Sequence, residues 1–289
     1  MEKKGGPIIR PFLKWAGGKR QLLPELNKYK PTGFLKSQKT YYEPFVGAGA
    51  FLFDLQHEKA VINDVNEELI NCYEVVKNSL DELIIRLQKY QYKNSEDNYY
   101  KIRKLDRQTK KYKALSAVEK AARIIYLNKT CYNGLFRVNS LRQFNVPYGK
   151  YKNPNVLDEA VLRAASTYLN ENEIKILNVD FELAVKDAKK GDFIYFDPPY
   201  HPVSNTASFT GYDSNGFNKS EQERLKEVFD ELTNKGCKVM LSNSRTDFIM
   251  DLYDDDRYNI QTVKATRNIN SKAFKRGKVD EVLVRNYDR

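Results

Sequence analysis

Hydrophobic and polar positions along this chain follow two alternating periods. Short apolar runs that end on a polar residue stand at Tyr41-Tyr42-Glu43-Pro44-Phe45, Ala60-Val61-Ile62-Asn63-Asp64, Ile174-Lys175-Ile176-Leu177-Asn178-Val179-Asp180, Asp192 to Phe196, Lys238 to Ser242 and Glu281 to Val284. Runs of this length and kind predict strands. Between them the period lengthens to that of a helix. Leu69, Ile70, Tyr73, Val76, Leu80, Leu83, Ile84 and Leu87 lie on one face and predict a helix over 66–89. Ser116 and Glu119 form a capping box ahead of the stripe Val118, Ala121, Ala122 and Ile125. Ser220 and Glu223 likewise open a helix bearing Leu225, Val228, Phe229 and Leu232. Strands alternating with helices predict one α/β core with ligands at the carboxyl ends of its strands, and the last two strands are expected to pair as a hairpin. No repeat, low-complexity tract or long linker interrupts the pattern.

Composition narrows the class. With 289 residues, 41% of them hydrophobic, the chain can bury a large core. The amino terminus leads into no apolar stretch of signal length and no run approaches a membrane span, so a soluble, intracellular protein is expected, without a membrane partner. Cys72, Cys131 and Cys237, with His57 and His201, are too few and too scattered for a disulfide framework or a metal site. His201, next to the tetrapeptide described below, reads as a solvated loop residue. Charge changes the picture more. Residues 86–152 hold 17 Lys and Arg against four acids, a net +13 that exceeds the +11 of the whole chain. Tyrosines and phenylalanines are interleaved with these cations, as suits phosphates and bases together. A near-neutral core, 1–80 and 155–289, is therefore expected to carry a basic nucleic-acid-binding insert at 81–154.

The candidate chemistry lies at the strand ends. Asp197-Pro198-Pro199-Tyr200 follows an apolar strand, and its two prolines end strand pairing and hold the backbone extended. Asp197 and the Pro198 carbonyl can then both accept from one planar NH2 group while Tyr200 offers a ring face to a base. Pro44-Phe45-Val46-Gly47-Ala48-Gly49 makes a tight turn after the first strand, and Asp64 ends the next strand where an acid suits the hydroxyls of a ribose. Leu52 stands where a dinucleotide fingerprint has its third glycine, which disfavours a pyrophosphate cofactor. S-adenosylmethionine has a ribose, no phosphate and a sulfonium that welcomes the acids Glu43, Asp64, Asp180 and Asp197. The run Phe12 to Arg20 is no phosphate loop, because Leu13 replaces its first glycine and Arg20 its Ser or Thr. Trp15 is instead expected on an adenine ring and Lys19 on a carboxylate such as methionine's.

Taken together, Lys14-Trp15-Ala16-Gly17-Gly18-Lys19, Glu43 to Gly49, Asp64, Asn133-Gly134-Leu135-Phe136-Arg137, Phe144-Asn145-Val146-Pro147-Tyr148-Gly149 and Asp197 to Tyr200 resemble the Dam-class, α-group DNA adenine-N6 methyltransferases, in the family's order and over nearly the whole chain. The resemblance implies a Rossmann-like methyltransferase core with an inserted, mainly helical target-recognition domain carrying a β-hairpin at 132–151. It implies catalysis by Asp197, Pro198, Pro199 and Tyr200, and transfer from S-adenosylmethionine, which leaves as S-adenosylhomocysteine. Cofactor contacts are implied for Trp15, Lys19, Glu43, Phe45, Gly47, Gly49, Asp64, Asp180, Phe181 and Asp197. For DNA it implies Arg137 reading a guanine, Leu135 and Pro147 packing on a thymine methyl, Tyr132 filling the gap left by a flipped adenine, Lys14 at the outer guanine, Lys150 on a phosphate, and Asn133 beside them. The substrate implied is double-stranded DNA, GATC by the match of the hairpin, in the cytoplasm and at the nucleoid, with or without a restriction endonuclease that acts on the same site without direct binding. No metal is implied. Rival readings are methylation of cytosine N4, of an RNA adenine or of a protein glutamine amide, and a catalytically silent DNA-binding protein. Aspartate at the head of the tetrapeptide leans toward adenine, the basic insert speaks against a protein substrate, and a silent binder has no use for Asp197, Asp64 and Trp15.

Overall fold

A computed structural model describes residues 9–15, 17–203, 217–266 and 278–288. The chain divides into two compact units. One comprises Met1–Gly18, Gly47–Gln56 and Asn66–Asn178, the other Lys19–Val46, His57–Val65 and Val179–Arg289. The insert boundaries expected at 81 and 154 do not coincide with this division. In chain order the elements are α1 (Leu23–Tyr29), β1 (Tyr41–Glu43), α2 (Ala50–Leu55), β2 (Lys59–Asn63), α3 (Glu67–Asn78), α4 (Leu80–Tyr92), α5 (Glu96–Arg103), α6 (Thr109–Lys113) and α7 (Ala117–Thr130). There follow α8 (Glu159–Glu171), β3 (Glu173–Leu177), α9 (Phe181–Val185), β4 (Phe193–Phe196), α10 (Lys219–Asn234), β5 (Lys238–Ser244), α11 (Asp247–Leu252), β6 (Asn259–Thr266) and β7 (Lys278–Arg285).

The second unit is an α/β sheet in the order β2-β1-β4-β5-β7-β6. Strands β2, β1, β4 and β5 run parallel, with Tyr42 opposite both Val61 and Ile194, and Ile194 opposite Val239. β7 is antiparallel to β5 and to β6, so the expected final hairpin pair is present. Every side chain of β4 is buried, which is why its sequence is continuously apolar rather than alternating. β1 leads on to β2 on one side and has β4 on the other, so the order reverses between β1 and β4, the arrangement that opens a crevice at carboxyl ends. α10 buries Leu225, Phe229 and Leu232 in this unit's core with Ile249 and Tyr253. Its cap is Asn218, whose side chain accepts from the Glu221 amide, and not Ser220, which lies inside the helix.

The first unit is mainly helical. The single helix expected over 66–89 is two, α3 and α4, broken at Ser79 with φ −143° and ψ 41°. α7 starts on the expected Ser116/Glu119 capping box and packs along both. Arg123 of α7 is wholly buried and holds the unit together. Its guanidinium donates to the carbonyls of Ile102 and Arg103 and pairs with Asp106 at 2.6 Å, while Glu68 of α3 lies at 3.7 Å. No helix among the described residues is long and apolar enough to cross a membrane, and no group of His, Cys, Asp and Glu among them could hold a metal ion.

Removing one partner of a buried ion pair strands the other charge, at a cost of about 3–5 kcal/mol. Asp106→Ala is therefore expected to lower unfolding free energy by about that much in denaturant titrations. The double variant Arg123→Met/Asp106→Leu, which strands no charge, should lose less; an equal or larger loss would remove the pair from this role.

Candidate functional site

Asp197 directly follows β4, and two groups of the second unit converge on its carboxylate. Lys19, 9% exposed, places Nζ 2.9 Å from Oδ1. Ser242 of β5 donates to the same oxygen at 2.9 Å and is itself bonded to the Tyr195 hydroxyl. Both bonds fall on Oδ1, and among the described residues Oδ2 has no partner. Burial pushes the Asp197 carboxyl above the ordinary aspartate value, while the Lys19 ammonium and the Ser242 hydroxyl pull it back. Lys19 thus holds Asp197 in this structure.

The two prolines carry the chain to Tyr200. Gln222 of α10 donates to the Pro199 carbonyl at 2.9 Å, whereas no described group donates to the Pro198 carbonyl. Tyr200 donates its hydroxyl to Glu281 of β7 at 2.8 Å, and Lys19 Nζ stands 4.3 Å from its ring centre. The tyrosine ring is thereby fixed at its polar end. Asn243, fully buried, donates to Gln222 and accepts from the His201 amide, so the backbone after the tetrapeptide is tied to β5. His201 is held rather than solvated: its ring packs 4.7 Å from Phe248, Nδ1 meets Thr246, and burial lowers its pKa. Chemically the end of β4 presents two acceptors, Asp197 Oδ2 and the Pro198 carbonyl, beside an anchored aromatic ring.

A second cluster lies at the ends of β1 and β2. Asn63 donates to the carbonyls of Pro44 and Val179 and accepts the Val179 amide, stitching the turn after β1 to the turn before α9. Phe45, half-buried, packs against Phe181 and Phe217 with centroids 5.4 and 5.6 Å away, and Asp64 is half-buried just beyond β2. Glu43 is buried and accepts from Tyr41. Asp180 caps α9 and takes two guanidinium nitrogens of Arg224, each at 2.8 Å, and this pairing holds its carboxyl below the ordinary value. Arg224 also lies 4.2 Å over the buried Phe181 ring. The side chains of Asp180 and Phe181 therefore brace each other's surroundings.

In the first unit, Gly47 and Gly49 have φ of +49° and +69°, and a Cβ on Gly49 would stand 2.6 Å from the Tyr73 hydroxyl. Trp15 Cδ1 would stand 3.1 Å from a Cβ on Gly47, and the indole stacks on Phe136 with centroids 4.6 Å apart. The same unit gathers every residue expected to meet DNA. Asn128 of α7 bonds both the amide and the carbonyl of Lys14 and the carbonyl of Gly134, fastening Lys14 to the turn that bears Tyr132 and Asn133. Tyr132 is half exposed, its amide donating to the Pro147 carbonyl. The expected β-hairpin is an irregular one, carried by isolated antiparallel bridges Cys131 with Tyr148 and Val138 with Phe144. Arg137, Pro147 and Lys150 are exposed on it, and Leu135 is half-buried. The three thiols are buried and pushed upward by burial, Cys131 to about 12 and Cys237 to about 11, which removes them as nucleophiles.

Sequence reading missed Ser242, Asn243, Gln222, Glu281, Asn63 and Asn128. One signal was present: Ser242-Asn243-Ser244 interrupts an otherwise apolar strand and is fully buried. Buried polar groups in a central strand demand partners, and here those partners are the tetrapeptide and its flanks.

The family described as D12 class N6 adenine-specific DNA methyltransferase matches residues 15–269. The Type II methyltransferase M1.LlaDCHI of Lactococcus lactis subsp. cremoris is 48% identical over 279 residues, 96% of each chain. The Type II methyltransferase M.MjaIII of Methanocaldococcus jannaschii is 43% identical, over 96% of this chain and 99% of its own. The DNA adenine methylase of Escherichia coli K12 is 33% identical, over 95% and 94% respectively. This chain belongs to the D12 class of N6 adenine-specific DNA methyltransferases, with S-adenosylmethionine as methyl donor.

Proposed function

We propose that this enzyme methylates adenine N6 within GATC in duplex DNA, acting on an adenine turned out of the helix. The observation that carries the reading is the pair of acceptors at the end of β4. Asp197 Oδ2 and the Pro198 carbonyl take the two N–H groups of N6, which draws the nitrogen lone pair out of conjugation with the ring. Tyr200, pinned by Glu281, supports the face of the base. Lys19 and Ser242 on Oδ1 keep Asp197 ionised and correctly turned, so that the acceptor is ready before substrate arrives. The proton lost from N6 after transfer passes to water.

The second unit fits the donor. Asp64 suits ribose hydroxyls, Phe45 offers an apolar platform, and Glu43 and Asp197 suit a cationic ligand. S-adenosylmethionine supplies an electrophilic methyl group on a sulfonium. Arg137 reads guanine, Leu135 and Pro147 the thymine methyl, Lys14 the outer guanine and Lys150 a phosphate, while Tyr132 fills the gap in the helix. Two relatives bear the name Type II methyltransferase, which supports a modification role beside an endonuclease of the same specificity. The loop His201 to Tyr212, expected to order on DNA, falls mostly outside the described residues.

Labelled methyl transfer from S-adenosylmethionine to duplexes with and without GATC tests the reading. Wild type should label only GATC duplexes, at adenine N6, and Asp197→Ala should be slower by about 10²–10³-fold or more. Labelling of cytosine, or equal labelling of both duplexes, would overturn it. A pH series gives a second test. Asp197 must be ionised to accept, and its pKa lies above the ordinary value. Activity should therefore fall on the acid side at a pH above the roughly 3.9 of a free aspartate. Because Lys19 favours the ionised form, Lys19→Met should move that limb to still higher pH. A limb that stays in place would mean that some other group is titrating.

A further inference from the structure

Arg137 is exposed, yet its guanidinium is already oriented. Its Nε–H donates to Asn145 Oδ1 at 2.7 Å, and Nη2 donates to the Asn145 carbonyl at 3.4 Å. Asn145 returns a bond from its amide to the Arg137 carbonyl at 3.0 Å, next to the Val138 with Phe144 bridge. These contacts occupy the side edge of the guanidinium, Nε with one hydrogen of Nη2. The terminal edge, with one hydrogen from each Nη, is left pointing outward, and two parallel N–H donors are what O6 and N7 of a guanine require.

The acceptor is itself held rigidly. The Phe144 amide donates to Asp106 and the Phe144 carbonyl accepts from Arg107, each at 2.8 Å. On the other side of Asn145, the Val146 carbonyl accepts from Tyr99 at 2.8 Å and Arg103 at 2.9 Å. Asp106 is fixed in turn by the buried Arg123. Asn145 thus sits between two clamped peptides, and its side chain can restrain Arg137 in a way that a mobile loop residue could not. An asparagine also suits the task better than an acid. It orients the guanidinium without neutralising the charge that DNA attracts, and residues 132–151 contain no Asp or Glu.

We propose that Asn145 is the positioning residue of Arg137 and sets selectivity at the base pair Arg137 meets. The inference rests on the reading of Arg137 as a guanine reader. A long exposed side chain otherwise loses its rotamer freedom on binding, and prior alignment removes that loss for the correct base.

The test is a cycle of Asn145→Ala, Arg137→Ala and the double variant, measured as kcat/KM on the wild-type recognition duplex and on duplexes changed at one base pair at a time. Thermal melting is followed in parallel. Asn145→Ala should reduce selectivity on the order of 10-fold, as for one hydrogen bond to a charged group, and only at the pair where Arg137→Ala also reduces it. In the Arg137→Ala background it should change selectivity no further. A uniform loss at all positions, or an added loss in that background, would overturn the positioning role, as would a silent Asn145→Ala beside an effective Arg137→Ala. If Arg137→Ala itself leaves selectivity intact at every pair, the base-reading role of Arg137 fails, and the inference falls with it for that separate reason.

Discussion

The site depends on keeping one carboxylate charged where little water reaches it. Asp197 directly follows a strand whose four residues are all buried, and an ionised group there is costly unless paired and hydrogen-bonded. Lys19 and Ser242 meet that cost by loading a single oxygen, which leaves Oδ2 without a partner among the described residues. The arrangement constrains its surroundings. Ser242 must sit on β5 beside Tyr195, Tyr200 must send its hydroxyl away from Asp197 to Glu281, and Gln222 must take the Pro199 carbonyl. Each bond satisfies a polar group that would otherwise lie unpaired next to the core.

The helical unit solves the same problem with the opposite sign. Arg123 is buried without exposure, and its two backbone acceptors and Asp106 make that tolerable. Asp106 then has capacity left for Arg107 and the Phe144 amide, so a structural ion pair extends into the hairpin. The short antiparallel bridges could not hold that hairpin by ladder bonds alone. Its shape comes from helix side chains reaching its backbone, which is why an irregular loop can hold Arg137 and its neighbours in fixed positions.

Much of this was legible in the sequence, and what was hidden follows from what periodicity records. Strands at 41, 60, 193, 238 and 281 were visible because buried parallel strands write themselves as short apolar runs. The break at Ser79 was not, because α3 and α4 both pack against α7 and the apolar stripe runs on through the bend. The acids Asp81 and Glu82, in the first turn after Ser79, were the overlooked sign of a new helix start. The cap at 218 was misplaced to 220 because an apparent capping box lay two residues inside the helix. Motif order singled out Asp197 and Tyr200 as candidates, but not their partners. Lys19, Ser242 and Glu281 come from distant segments, and only the fold brings them to one place.

The charge of the insert was legible in amount but not in use. Of the net +13 over residues 86–152, the arginines 103, 107 and 123 are committed inside the unit to carbonyls and to Asp106, and Arg86 pairs with Glu119. Lys101, Lys104, Lys110, Lys111 and Lys113 are exposed. The division follows from the two head groups. A guanidinium is planar, weakly hydrated and carries five donors, so one buried arginine can satisfy several carbonyls at once. An ammonium is strongly hydrated and is best left in water, where it attracts phosphate without fixing its geometry. Arginine is therefore committed to the internal structure of the unit, while these lysines remain on its surface as exposed positive charge. Arg137 is the exception that joins the two roles, because its side edge is built into the protein while its terminal edge remains outside.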